Sequence, residues 1–120
     1  MDRKELIAEY KRTPRPTGVF RVRNTERGIS LVGSSPDLPG MLNRQRFQLE
    51  MGSHPDKELQ RDWNELGGDA FVIEVLDEIE PSDAPDYDPA EDLALLTDLW
   101  LDKLTAAGEV FYPSVRRSGI

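Results

Sequence analysis

The stretch Gly18–Ser35, GVFRVRNTERGISLVGSS, decides the fold. Residues 18–24 alternate as a strand does, Val19 opposing Phe20 and Arg21 opposing Val22 across the pleat. The segment NTERG, Asn24–Gly28, makes a turn, because Asn24 and Gly28 both tolerate positive φ. Residues 29–33 are a second strand, and the two form an antiparallel hairpin.

Outward from the hairpin the chain reads as helices and one more strand. Residues 2–11 carry Leu6, Ile7 and Tyr10 at helical spacing. TPRPTG, Thr13–Gly18, ends that short helix, since two prolines remove donors and impose extended geometry. After the hairpin, Ser35 or Asp37 caps a helix with Pro39 in its first turn, where a missing N–H is harmless. That helix runs to about Met51, and Gly52 ends it. A second runs from near Pro55 to Leu66, with Leu59, Trp63 and Leu66 on one face and Gly67–Gly68 as its stop. Within AFVIEVLDEI, Ala70–Ile79, Phe71, Ile73 and Val75 share one side of a third strand. Residues 77–92 hold eight acids and three prolines and read as a loop; they lack the spacing, central glycine and terminal glutamate of an EF-hand. Residues 90–107 form the last helix, with Leu93, Leu96, Trp100, Leu104 and Ala107 on its buried stripe and Gly108 as cap. Val110–Ile120 is a strand fragment and a tail. This order predicts a small α+β sandwich, a three-stranded antiparallel sheet flanked by helices and preceded by a short N-terminal helix. Its divisions are a helix and proline-rich connector over 1–16, the domain over 17–112, and a tail over 113–120.

A length of 120 residues suits one compact domain. The absence of cysteine excludes disulfides, thiolate metal sites and thiol nucleophiles, and a single histidine, His54, excludes a multi-histidine metal site. No apolar run is long enough to cross a bilayer, and no apolar signal-peptide centre follows Met1, so a cytoplasmic, bacterial-type protein without a membrane partner is expected. The net charge of −8 opposes tight, indiscriminate polyanion binding. It is unevenly spread: residues 1–50 carry ten Lys or Arg against six acids, or +4, which leaves −12 on residues 51–120. A basic half and an acidic half can give a polar molecule with a usable basic face, or simply two solvated faces.

GVF at Gly18–Phe20, followed by LVG at Leu31–Gly33, resembles the paired motifs of the GIY-YIG nuclease family. Gly52–Glu80 is similar to the block after the first long helix in homing-endonuclease-like members, with Leu59–Gln60, Trp63–Asn64, Gly67 and then Phe71-x-x-Glu74. Leu99–Leu104, LWLDKL, resembles the family's last helix. The resemblance covers residues 17–112 and implies phosphodiester hydrolysis with one divalent metal, Mg²⁺ or Mn²⁺. Such chemistry uses a water beside an aromatic hydroxyl, an arginine on the phosphate and a glutamate holding the metal. Position by position, the resemblance puts Phe20 and Leu31 where the family has tyrosines. It puts Met41 in place of the arginine, Gln45 in place of a histidine or tyrosine one turn later, and Thr97 in place of the metal glutamate. The family's late asparagine falls near Pro113. Phe20, Leu31 and Met41 cannot bind metal, orient water or neutralise phosphate, and they can fill a pocket instead.

The leading expectation is therefore a GIY-YIG-like domain that has lost catalysis, holds no metal, and serves in weak nucleic-acid or protein binding. Its nucleic-acid contacts would be Arg21, Arg23, Arg44 and Arg46, with Arg27 extending the same strip along the hairpin. One alternative is an active divalent-metal-dependent DNA endonuclease with Glu74, Asp98 or Glu91 as replacement metal ligand and Arg44 on the phosphate. Another is an acidic module that engages a basic protein through residues 77–92. His54 is expected as a capping or surface residue, and Trp63 and Trp100 as core.

Overall fold

A computed structural model describes residues 15–80 and 86–116 of the chain. The helix expected over 2–11, the centre of the acidic loop and residues 117–120 lie outside the described residues. The elements run β1 (Thr17–Asn24), β2 (Ile29–Ser35), α1 (Leu38–Met51), α2 (Lys57–Leu66), a single 3₁₀ turn (Gly68–Ala70), β3 (Phe71–Ile79), α3 (Ala90–Ala106) and β4 (Val110–Phe111).

The hairpin forms as its pattern dictates, with Phe20 opposite Gly33 and Val22 opposite Leu31. Asn24 closes the turn by accepting the backbone N–H groups of Glu26 and Arg27 at 3.1 and 3.0 Å. Both motif glycines meet a steric demand. A Cβ on Gly18 would collide with the carbonyl oxygen of Asp77 on β3, and one on Gly33 would come 3.0 Å from the ring of Phe20. Phe20 thus lies across the glycine of the neighbouring strand and fills the space its missing side chain leaves.

The sheet differs from expectation in having four strands, in the order β3-β1-β2-β4. β3 adds antiparallel to β1, while the two-residue β4 adds parallel to β2, pairing Ile29 with Val110 and Ser30 with Phe111. The sheet is therefore mixed rather than purely antiparallel. A bulge interrupts the β1–β3 ladder: Phe20 pairs with Val75 but Val19 with Asp77, which leaves Leu76 as the extra residue.

Helices cover both faces. Asp37 caps α1 by accepting from the Gly40 N–H, and Asp56 caps α2 by accepting from the N–H groups of Glu58 and Leu59. Leu38 and Leu49 of α1 and Leu59 of α2 pack on Phe20, Val22, Leu31 and Phe71. On the opposite face Leu101 and Leu104 of α3 pack on Val19 and Val32. The buried stripe of α3 runs through Leu93, Thr97, Leu101 and Leu104, with Leu96 and Trp100 partly buried against it; of the stripe expected through Leu93, Leu96, Trp100, Leu104 and Ala107, only Ala107 lies exposed. Trp100 packs at the edge of this cluster and donates its indole N–H to Asp77 at 3.0 Å, beside the bulge. No helix among the described residues is long and apolar enough to cross a membrane.

Candidate functional site

The positions carried over from the resemblance fall in two places. Phe20, Leu31, Met41 and Gln45 belong to the α1–α2 side. Phe20 is 3% exposed and Leu31 8%, both inside the main apolar cluster, and Met41 is half-buried against it. Gln45 is buried and fully occupied. Its amide N–H lies 3.5 Å from the Met41 sulfur, and its Oε1 lies 2.6 Å from Nε2 of His54. His54 is buried, not a surface residue. Its Nδ1 accepts the backbone N–H of Asp56 at 3.0 Å, so the ring proton sits on Nε2 and is donated to Gln45. Burial lowers the pKa of this imidazole below its ordinary value and keeps it neutral. A ring with both nitrogens engaged in this way is a bracket between α1 and the α2 cap.

Thr97 belongs to the other side. It is buried on α3 and donates its hydroxyl to the Leu93 carbonyl at 2.7 Å. Beside it a groove of about 280 Å³ opens between Gly33 and Ser34 of β2, Thr97 and Asp98 of α3, and Ser114 and Arg116 beyond β4. The segment past β4 is anchored rather than trailing, since Ser114 donates both its N–H and its hydroxyl to the buried carboxylate of Asp56. Those bonds, with the cap donors, hold the Asp56 carboxyl below the usual carboxylate range.

The arginines do not form one strip. Strand alternation points Arg21 and Arg23 to the α3 side of β1. There Arg21 donates Nε to Glu74 at 3.0 Å and pairs through Nη1 with Glu109 at 2.9 Å. Glu109 also accepts the Ser30 hydroxyl at 2.8 Å and lies 3.8 Å from Arg23. Glu74 is thereby committed to Arg21, and the pairing fastens β3, β1 and the start of β4 together. Arg27 pairs with Asp62 and Glu65. Arg44 and Arg46 stand exposed on α1, on the opposite face of the sheet.

A divalent metal finds no family-type donor set among the described residues. Thr97, the position the resemblance assigns to the metal glutamate, carries no carboxylate, Glu74 is held by Arg21, and Asp98 is the one described carboxylate lining the groove. Glu91 stands exposed in the first turn of α3. Among the described residues no three His, Asp or Glu side chains converge as ligands.

Two polar centres gave no sequence signal. One is Glu109. The other is Asp62, which is buried and accepts the hydroxyl of Tyr112 at 2.7 Å and, at 3.4 Å, the amide of Asn24. Both join residues up to 88 positions apart, beyond the reach of any local pattern.

No protein-family model matches the chain, and no curated protein matches it. Its fold does match solved structures. The catalytic domain of the intron endonuclease I-TevI, in a point-mutant form, is similar with a TM-score of 0.64 and 23% identity, over 87% of this chain and 99% of that one. A second structure, the catalytic domain of the homing endonuclease I-TevI, gives 0.61 and 24% identity over 78% and 94%. The chain therefore has the α+β fold of a GIY-YIG catalytic domain, here with the four-stranded order β3-β1-β2-β4.

Proposed function

We propose that this is a cytoplasmic, nuclease-fold domain that binds nucleic acid weakly and does not cleave it. The observation that carries the reading is the packing of the hairpin. Where hydrolysis needs two hydroxyls exposed to a substrate, Phe20 and Leu31 are apolar and buried. The neighbouring positions are equally inert, with Gln45 tied to His54 and Thr97 tied to its own helix. Binding runs through Arg44 and Arg46, the exposed cations of α1, while Arg21 and Arg23 act as structural cations against Glu109. The acidic remainder of the chain keeps affinity low and steeply salt-dependent.

The test is incubation of the purified protein with single-stranded, duplex and branched DNA in Mg²⁺ and then Mn²⁺. No product is expected. Nicking that persists in Phe20→Ala and disappears in Asp98→Ala would replace this reading with that of an active endonuclease whose metal ligand is the groove carboxylate.

A further inference from the structure

Two helices on opposite faces of the sheet each leave an apolar pair in solvent. On α1 these are Phe47 and Met51, 62% and 66% exposed. On α3 they are Leu95 and Leu99, 53% and 58% exposed. Each pair is four residues apart and so stacks on one helix face. The charges beside them differ in balance: Glu50 also flanks the α1 pair and Lys103 the α3 pair, but the sum is positive beside the first and negative beside the second. Arg44 lies three residues before Phe47, on the same face, with Arg46 next to it. Asp92 lies three residues before Leu95 and Asp102 three residues after Leu99, with Glu91 beside them.

The spacing also matches. Arg44, Phe47 and Met51 step by three and then four residues. Asp92, Leu95 and Leu99 do the same in the parallel direction; Asp102, Leu99 and Leu95 do so in the antiparallel one. Laid side by side in either direction, the helices place Phe47 and Met51 against the two leucines and Arg44 against a carboxylate. Within one molecule the two faces cannot meet, because the sheet lies between them.

We infer that the occupant of the α3 face is the α1 face of a second copy of this chain. The contact is heterologous: each molecule offers one face of each kind, so association continues into chains or closes into a ring. Burial of the four apolar side chains supplies the drive, and the balance of flanking charge, positive beside the α1 pair and negative beside the α3 pair, favours this pairing over α1 with α1 or α3 with α3. The inference needs no nucleic acid and stands apart from the proposed function. It adds one consequence: the surface carrying Arg44 and Arg46 is covered in the assembly, so self-association and binding through those arginines compete.

Sedimentation velocity on the full chain, from low to high micromolar concentration at low salt, tests it. Average mass should climb past that of a dimer and fall when salt is added. Arg44→Glu should weaken association about tenfold. Mixing it with Asp92→Arg or Asp102→Arg should restore association between the two variants, and whichever acid rescues gives the helix direction. Leu95→Ser with Leu99→Ser should abolish assembly while the circular dichroism spectrum and melting temperature stay at wild-type values, as expected for exposed positions. A monomer at every concentration would overturn the inference. So would association that Arg44→Glu leaves unchanged, or charge reversal that neither acidic-site variant rescues.

Discussion

Introducing the residues the resemblance implies, Phe20→Tyr and Leu31→Tyr in the hairpin and Met41→Arg on α1, should destabilise this protein. Phe20 and Leu31 lie in one cluster beneath α1, and Phe20 rests on the backbone of Gly33. A hydroxyl added to a ring that is 3% exposed must find a partner or lose its hydration, at about 1–3 kcal/mol. Leu31→Tyr enlarges a side chain at a position 8% exposed, and overpacking of this kind costs roughly 1–3 kcal/mol. Met41→Arg should cost least, because a half-buried arginine stem can lie along the core edge with its head in water. The three sites share neighbours, so their effects should not add simply. For a chain of this size each kcal/mol moves the melting temperature by about 3–6 °C. A drop of roughly 10 °C or more in the triple variant is expected, together with a lower urea midpoint at unchanged slope. Phe20→Ala, which deletes the ring outright, should cost about 3–5 kcal/mol and marks the upper limit for that position. If the triple variant melts within about 2 °C of the parent, positions 20 and 31 face open space rather than core, and the reasoning from packing is wrong.

Further outcomes follow from the polar contacts. Because burial puts the His54 pKa below its unfolded value of 6.5, the unfolded chain binds the extra proton first; stability should be full above about pH 6.5 and decline as pH falls through that region, and His54→Asn should flatten the decline in a melting-temperature profile. Burial raises the Tyr112 phenol above its ordinary 10.0, so stability should fall as pH rises past about 10, a loss that Tyr112→Phe should reduce. Asp62→Ala should cost about 2–4 kcal/mol in chemical denaturation, since it leaves the buried Tyr112 hydroxyl proton without an acceptor and removes a partner of Arg27, while Asn24 keeps its bond to the Tyr112 oxygen. In titrations with labelled duplex at low salt, Arg44→Ala with Arg46→Ala should weaken binding equally for all sequences and flatten the salt dependence by about 0.9 in log–log slope for each phosphate left without its arginine; a change in sequence preference would mean that these arginines read bases.

The hairpin was legible because its determinants are local: alternation, turn chemistry and two glycines set the register that pairs Phe20 with Gly33. The cap at Asp37 and the glycine ends of α1 and α2 are local too. What escaped depends on distant partners. The strand fragment at Val110 was legible, but its place in the sheet, parallel to β2, is set by Glu109 clasping Arg21 and by Tyr112 reaching Asp62. His54 looked like surface because the groups that occupy it, Gln45 and the Asp56 amide, converge only after α1 and α2 pack. The stripe of α3 was legible through Leu93, Leu96, Trp100 and Leu104, which all pack on the core, but not through Thr97 and Leu101, nor was the bond of Trp100 to Asp77, at a bulge that no periodicity announces. The arginine strip failed for a related reason. Arg21 and Arg23 do share a strand face, as alternation requires, but which face α1 would cover is a tertiary fact.

The two halves of each hairpin motif answer to different physics. Gly18 and Gly33 are required by the backbone: a side chain at either would strike β3 or the Phe20 ring, whatever reaction the protein does or does not perform. Residues 20 and 31 are under no such demand. A tyrosine serves there when its hydroxyl must face a substrate, and a phenylalanine or leucine serves when the same volume closes the core. Glycines at motif spacing therefore report the fold, and the residue type at the aromatic positions reports the chemistry. In this chain the glycines give the nuclease architecture while Phe20 and Leu31, both buried, give packing. The groove at Gly33, Thr97 and Asp98 is the part of the region that packing has not filled, and the Asp98 carboxylate lining it is where any residual hydrolysis must be sought.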